Sequence, residues 1–388
     1  MSRSPRAPSL PLSRPTMNRT EHAGLYVHVP FCKTKCPYCD FYSVTETKYA
    51  RDWSNAVLKE ASRYAPEFPR FDSLYIGGGT PSLLGHADME AVVEGLYGIL
   101  RFDDATELTV ELNPDDVTKE KLVMYRSLGV NRISLGVQSF NEEEVRFLGR
   151  RHSARQARKA VRLVAEGGFA RFGIDLIYGL PGQTAKAWLK TLEEALSCGP
   201  VHLSCYQLTV EGDTPFSRLK AEGDLTLPDD SRQAEFFLST SKYLTGRGFI
   251  HYEVSNFAQG EESLSRHNVK YWRHTPYLGL GPAAHSFSGG RRWWNHRSVD
   301  DYLADVDERS CAVAGSEVLS KEQMHLERLL FGFRTQWGVE AAQLPGDRCE
   351  KRVEDLQRKG FIEVREGRVR PTLKGYLFAD RLPLMVSE

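Results

Sequence analysis

From residue 24 onward the chain repeats one rhythm: a short β-branched or aromatic run, a turn, then an amphipathic stretch of helical period. The runs lie at 25–29, 73–76, 108–112, 132–137, 173–177 and 202–208, and helical patterns fall near 48–65, 86–100, 118–128, 142–168 (interrupted near Gly149) and 184–197. Strands that alternate with helices predict a parallel sheet joined by helical crossovers. Six such units predict an α/β fold, a curved partial (βα)6 barrel rather than the closed eight-fold form. In such sheets ligands sit at the C-terminal ends of the strands.

One strand end after another carries a polar or glycine-rich element, which packing alone does not explain. After the first run comes Phe31-Cys32-Lys-Thr-Lys-Cys36-Pro-Tyr38-Cys39, a Cys-x3-Cys-x2-Cys triplet on one loop. Three thiolates can hold three irons of a four-iron, four-sulfur ([4Fe-4S]) cluster, where four cysteines are usual, leaving one iron open to an outside ligand. The alternative is a zinc tetrahedron completed by His28 or Asp40, although zinc knuckles usually pair two short cysteine arms and no second arm exists here. Gly77-Gly78-Gly79-Thr80-Pro81 follows the second run and lets backbone approach a ligand with no Cβ between them. Glu111, Gln138, Arg150 and Asp175 follow at or near later strand ends. A carboxylate there suits ribose hydroxyls or an ammonium, and an arginine suits a carboxylate. The plainer reading of each is a salt bridge at the barrel rim, and the basic stretch opened by Arg150 also reads as a solvated helix face.

Bulk properties narrow the classes. The 51 basic and 51 acidic side chains cancel, which argues against a nucleic-acid binder that relies on a broad basic surface. No apolar run reaches the roughly 18 residues of a membrane helix. Seven cysteines, four of them scattered (Cys198, Cys205, Cys311, Cys349), fit a reducing cytoplasm better than a disulfide scaffold. Residues 1–20 hold four arginines, no acid and prolines at 5, 8, 11 and 15. An organelle leader needs an amphipathic helix that these prolines would break, so the segment reads as a disordered extension, with Met17 an alternative start.

Taken together, the motifs resemble the radical S-adenosylmethionine (SAM) family that contains the oxygen-independent coproporphyrinogen oxidases and the HemW-type haem chaperones. The resemblance runs from Tyr26 to about residue 290 and extends more loosely to the C-terminus. It implies that Cys32, Cys36 and Cys39 bind the cluster and that SAM caps its fourth iron. It further implies that Tyr26, Tyr38, Gly78, Gly79, Thr80, Glu111, Gln138, Arg150 and Asp175 hold SAM. The oxidase branch adds a fourth cysteine two residues after the third, where this chain has Phe41. The segment Arg266-His267-Asn268-Val-Lys-Tyr271-Trp272 matches the His-Asn-x-x-Tyr-Trp motif of the chaperone branch. That match implies haem as cargo, with His267 as axial ligand and Asn268, Tyr271 and Trp272 beside it. From chemistry alone a single histidine among aromatics is more often a hydrogen-bonded structural residue, and His274 and His285 are substitutes.

The resemblance therefore predicts a haem chaperone that delivers to an acceptor protein of the respiratory chain and that forms a homodimer. The alternative is the oxidase itself, which decarboxylates propionate side chains to vinyl groups through SAM radical chemistry. A zinc-stabilised α/β protein is the distant third. The expected organisation is a core barrel over 21–250, a haem-motif and connecting region over 251–315 that reads as loop to about 297, and an accessory domain over 316–388. In the last, helices at 321–333 and 349–359 and a hairpin turning at Glu366-Gly367 resemble a winged helix.

Overall fold

The computed structural model describes residues 22–344 and 346–387. The N-terminal extension expected at 1–20 lies outside the described residues.

Six strands run in sequence order and pair in parallel: β1 (Ala23–Val29), β2 (Phe71–Gly78), β3 (Phe102–Leu112), β4 (Arg132–Gln138), β5 (Arg171–Tyr178) and β6 (His202–Gln207). Each matches a run of alternating or continuous apolar residues. Leu25, Val27, Leu74, Ile76, Leu108, Val110, Ile133 and Leu135 are buried on one face against the crossover helices. Those helices are α1 (Ala50–Tyr64), α2 (His86–Ile99), α3 (Lys119–Ser127), α4 (Glu142–Phe147), α5 (Ala154–Glu166) and α6 (Ala185–Leu196). Several start where a side chain accepts a first-turn N–H: Thr118 from Lys121, Thr184 from Ala187, and Ser153 in a reciprocal capping box with Gln156.

The arc does not close, because β1 and β6 do not pair. Helices α7 (Pro215–Glu222) and α8 (Asp230–Thr245) lead to a hairpin of β7 (Ile250–Glu253) and β8 (Asn256–Ala258), which continues the sheet beyond β6. The stretch expected to be loop is instead ordered. It forms α9 (Arg266–Trp272) and strands β9 (Tyr277–Leu280), β10 (His285–Ser288) and β11 (Arg291–Asn295), followed by α10 (Val299–Arg309) and β12 (Val313–Val318). Strand β9 pairs in parallel with β1, so the described residues build one twelve-stranded sheet with β12 and β7 at its edges. Strands of four or five residues rich in Gly, His and Trp give too little alternation to read, and their order comes from joining a sheet already built.

The C-terminal part has its own small core, with Leu329, Phe333, Val339, Leu356, Ile362 and Val369 at its centre. It comprises α11 (Lys321–Phe333), α12 (Gly346–Arg358), a three-stranded antiparallel sheet of β13 (Val339–Glu340), β14 (Ile362–Arg365) and β15 (Arg368–Pro371), and the short helices α13 (Leu373–Tyr376) and α14 (Leu382–Ser387). Helices α11 and α12 and the hairpin fall where the sequence places them.

Candidate functional site

The inward face of the arc is polar where its outward face is apolar, as period-two alternation requires. At its C-terminal end lies a cavity of about 590 Å³ lined by side chains from β2 to β6 together with the cysteine loop. Strands that are not neighbours share this one cavity, so the sheet curls around it.

The cysteine loop is held from three sides. Cys32 N–H donates to Val44 O at 2.9 Å and closes the loop on itself. Lys33 reaches the buried Asp116 carboxylate, which also accepts from Ser82 Oγ (3.0 Å) and Arg151 (3.0 Å). Phe216 N–H donates to Pro37 O at 3.1 Å while its ring packs against Tyr38 and Phe147. Cys32, Cys36 and Cys39 are free thiols, all partly exposed and all on the cavity wall. Cys32 Sγ is 3.3 Å from Thr80 Oγ1, and Arg150 Nη1 points at Cys36 Sγ from 3.6 Å. Burial pushes the Cys39 thiol up to about 11, and the Cys36 and Cys32 sulfurs beside it add to the rise. A cationic metal group would relieve that crowding of sulfur.

The zinc alternative fares less well. Among the described residues no three His, Cys, Asp or Glu side chains converge closely enough for a single ion. His28, one proposed fourth ligand, is buried, with Nε2 on Tyr42 O (2.9 Å) and Nδ1 on Tyr26 OH (3.1 Å).

The glycine turn is used as its composition suggests. Gly78 has φ +107°, and a Cβ there would lie 2.5 Å from the His28 ring. A Cβ on Gly79 would lie 2.8 Å from both Val29 O and Phe31 O, so this turn is pressed against the start of the cysteine loop. Gly78 N–H donates to Glu111 Oε2 at 3.1 Å, and Tyr75 OH donates to Oε1 at 2.7 Å. Poor solvation in the cavity raises the Glu111 carboxyl to about 7; the Asp175 charge adds to the rise and the Tyr75 and Gly78 donors moderate it. Asp175 itself accepts Ser134 Oγ at 2.9 Å. Gln138 sits at φ +66° where the β4–β5 register shifts, a bulge that turns its side chain into the cavity. Arg150 donates to Gly136 O (3.0 Å), Tyr38 OH (3.4 Å) and Asn113 Oδ1, while its buried Nε has no hydrogen-bond partner. A cationic fork with an unpaired buried N–H, beside three thiols and a glycine cradle, fits a cluster and an anionic ligand group.

Of the nine residues expected to hold SAM, eight line this cavity: Tyr38, Gly78, Gly79, Thr80, Glu111, Gln138, Arg150 and Asp175. Tyr26 lies one layer deeper, between the rings of His28, Tyr75 and His267. Tyr75, Asn113, Ser134 and Asp116 escaped the sequence reading. Tyr75 and Ser134 share strand parity with Gly77 and Gly136, which is the signal that would have found them. Phe41 is 65% exposed at the cavity wall.

The His-Asn-x-x-Tyr-Trp segment forms α9, and α9 fills the barrel floor against β1 and β2. Asn268 lines the cavity from below. His267 is 1% exposed, with Nδ1 on Ser73 Oγ (3.0 Å) and Nε2 on Tyr271 OH (2.8 Å). Burial lowers its pKa to about 3, and Lys270 contributes. In this conformation neither nitrogen is open to an iron, so haem does not fit here. Trp272 packs edge-on against Phe331 of α11. His274 is bound to Glu327 at 2.7 Å. His285 is exposed on β10, stacked on Trp294.

Comparison with known proteins agrees with this layout. The Radical SAM superfamily model matches residues 26–195, and the HemN C-terminal domain model matches residues 319–378. The heme chaperone HemW of Mycobacterium tuberculosis (strain H37Rv) is 34% identical over 365 residues, covering 92% of this chain and 93% of that protein. The chain belongs to the HemW family. Another HemW-family relative, the heme chaperone HemW of Escherichia coli K12, is 38% identical over 277 residues, covering 69% of this chain and 71% of that protein. The mitochondrial radical S-adenosyl methionine domain-containing protein 1 of Danio rerio is 34% identical over 328 residues, covering 82% and 74%. The solved coproporphyrinogen III oxidase HemN of Escherichia coli, a radical SAM enzyme, superposes with a TM-score of 0.78 over 95% of this chain and 90% of its own, at 24% identity. That likeness shows a shared fold. Among the described residues of this HemW-family chain, no helix is long and apolar enough to cross a membrane.

Proposed function

We propose that this protein is a cytoplasmic haem chaperone that carries a SAM-capped [4Fe-4S] cluster and hands haem to an acceptor protein of the respiratory chain, working as a homodimer. The observation that carries the cofactor part is the convergence of the three cysteines and eight of the nine expected SAM residues on one cavity. Family membership and the Arg266–Trp272 motif support the haem part.

In this reading Cys32, Cys36 and Cys39 ligate three irons, and Thr80 and Arg150 sit against the ligand sulfurs of Cys32 and Cys36. When bound, the cluster supplies a one-electron reductant and an open iron for the amino-acid end of SAM. Glu111 and Asp175 face the cationic and hydroxyl-bearing parts of such a ligand. The Gly78–Gly79 turn, whose N–H groups are used by Glu111 and Val29, would offer carbonyl oxygens to its ammonium. Arg150 takes the carboxylate. Phe41, standing where the oxidase branch has its fourth cysteine, and the motif on α9 both favour the chaperone over the oxidase.

Ligation of iron by His267 requires α9 to leave the barrel floor, whereas the exposed His285 requires no such movement. Haem titration of the reconstituted protein, followed at the Soret band, tests the reading. The wild type should bind haem stoichiometrically, and failure to bind would sink the chaperone assignment. His267→Ala and His285→Ala then identify the ligand. Formation of a divinyl product from coproporphyrinogen, SAM and a reductant would establish the oxidase instead.

A further inference from the structure

The haem-motif helix lines the SAM cavity directly at Asn268 and also reaches it through one unassigned side chain. Tyr75 lies on the inward face of β2, two residues from Ser73. Its hydroxyl donates to Glu111 Oε1 at 2.7 Å, and its ring lies on the His267 imidazole with centroids 5.3 Å apart and planes 31° apart. His267 is fixed in turn by Ser73, by Tyr271 and, through its backbone N–H, by Glu107 Oε1 at 3.3 Å. The helix that bears it is pinned at both ends: Arg266 donates to Ala105 O (2.8 Å), and Lys270 donates to His22 O (2.6 Å) and pairs with Asp72 (2.7 Å). Close approach reinforces this, since a Cβ on Gly24 would lie 2.8 Å from Lys270 and 3.0 Å from the His267 ring.

We propose that His267 and Tyr75 are positioning residues for the SAM-binding carboxylate: the imidazole holds the Tyr75 ring from below, and Tyr75 holds Glu111. The geometry explains why a histidine with both nitrogens bonded and almost no exposed surface sits under a ligand cavity. With Tyr75 fixed, one Glu111 oxygen is committed to Tyr75 and the other to Gly78, and the remaining lone pairs face the cavity. Removing the imidazole leaves a ring-sized space beneath Tyr75, into which the phenol can swing and take its hydroxyl away from Glu111. The inference rests on the SAM reading of the cavity, and it makes the motif histidine serve SAM even when no haem is present.

The test uses full-length, cluster-reconstituted, haem-free protein, with SAM affinity measured by equilibrium dialysis and the EPR signal of the reduced cluster recorded with and without SAM. Tyr75→Phe is a mild change that keeps the ring; it and His267→Ala should each weaken SAM binding about tenfold, the loss of a hydrogen bond to a charged group. Iron and sulfide content should not change. The double variant should bind no more weakly than the weaker single one, because both substitutions break the same path. Additive losses, or wild-type affinity in both single variants while Glu111→Gln binds poorly, would overturn the positioning role and leave the SAM reading intact. Wild-type affinity in Glu111→Gln would remove both.

Discussion

Arg150 shows how much one side chain is asked to do in this cavity. Its guanidinium spans Asn113, the Gly136 carbonyl, Tyr38 and the Cys36 sulfur, drawing together the ends of β3 and β4 and the cysteine loop. Arg150→Ala should lower SAM affinity at least tenfold, measured by dialysis. Arg150→Lys should recover little, because a single ammonium cannot reproduce a planar fork with several donors. Glu111 gives a second expectation. Its carboxyl is raised to about 7, so it is largely protonated below that pH and ionised above it. A sulfonium or ammonium ligand prefers the ionised form, and SAM affinity should therefore climb as pH rises from 6 to 8. Glu111→Gln should flatten that dependence. These roles were only half legible in the sequence. The cysteine spacing stands out because no packing need produces it, and the Gly77–Gly79 run because it follows one strand after that loop. Tyr75 and Asn113 do not, since an isolated tyrosine in a strand or an asparagine before a proline has many ordinary uses. What distinguishes them is which neighbour they touch across strands, and spacing along the chain does not contain that.

Among the elements, the crossover helices and first six strands were readable because each carries a full period of burial. Helix α9 was not. Its seven residues hold too few turns for a periodic signal, and it is stabilised by pins to β2, to β3 and to His22 just before β1. Helix α7 behaves similarly: it starts with Thr214 as cap and Pro215 in the first turn, yet its purpose lies in Phe216, buried beneath Tyr38. Phe216→Ala should destabilise the fold by about 3 kcal/mol. Its more telling effect should be on the loop above it. Iron release to a chelator should be several-fold faster than in wild type, while far-UV circular dichroism stays unchanged at room temperature.

Across the whole molecule, the C-terminal module keeps a small core of its own and also sends Tyr376 into the barrel's core, against His251 and Phe237. Val254 N–H donates to Arg334 O and Gln336 N–H to Tyr252 O, both at 3.0 Å. Glu327 of α11 binds His274 with one oxygen and Arg292 with the other. Phe331 adds a further apolar contact, on Trp272 and His274. The wild type should unfold in denaturant as one cooperative unit. Glu327→Ala combined with Phe331→Ala and Tyr376→Ala should uncouple the two cores, so that tryptophan fluorescence and circular dichroism give different midpoints. Unchanged, coincident transitions would show that these contacts contribute little.

The pairing of β1 with β9 also orders events in time. Strand β1 leaves the ribosome first, yet one of its two neighbours is made some 250 residues later, a long-range contact of the kind that slows folding. During that interval the three thiols are already synthesised, while the helix that closes the barrel beneath them is not. A nascent chain at this stage has a half-built pocket and oxidisable sulfur in the open. On the proposed reading, cluster insertion would follow translation of residue 280, and the freshly made cysteine loop would be the part of this protein that depends most on a reducing surrounding.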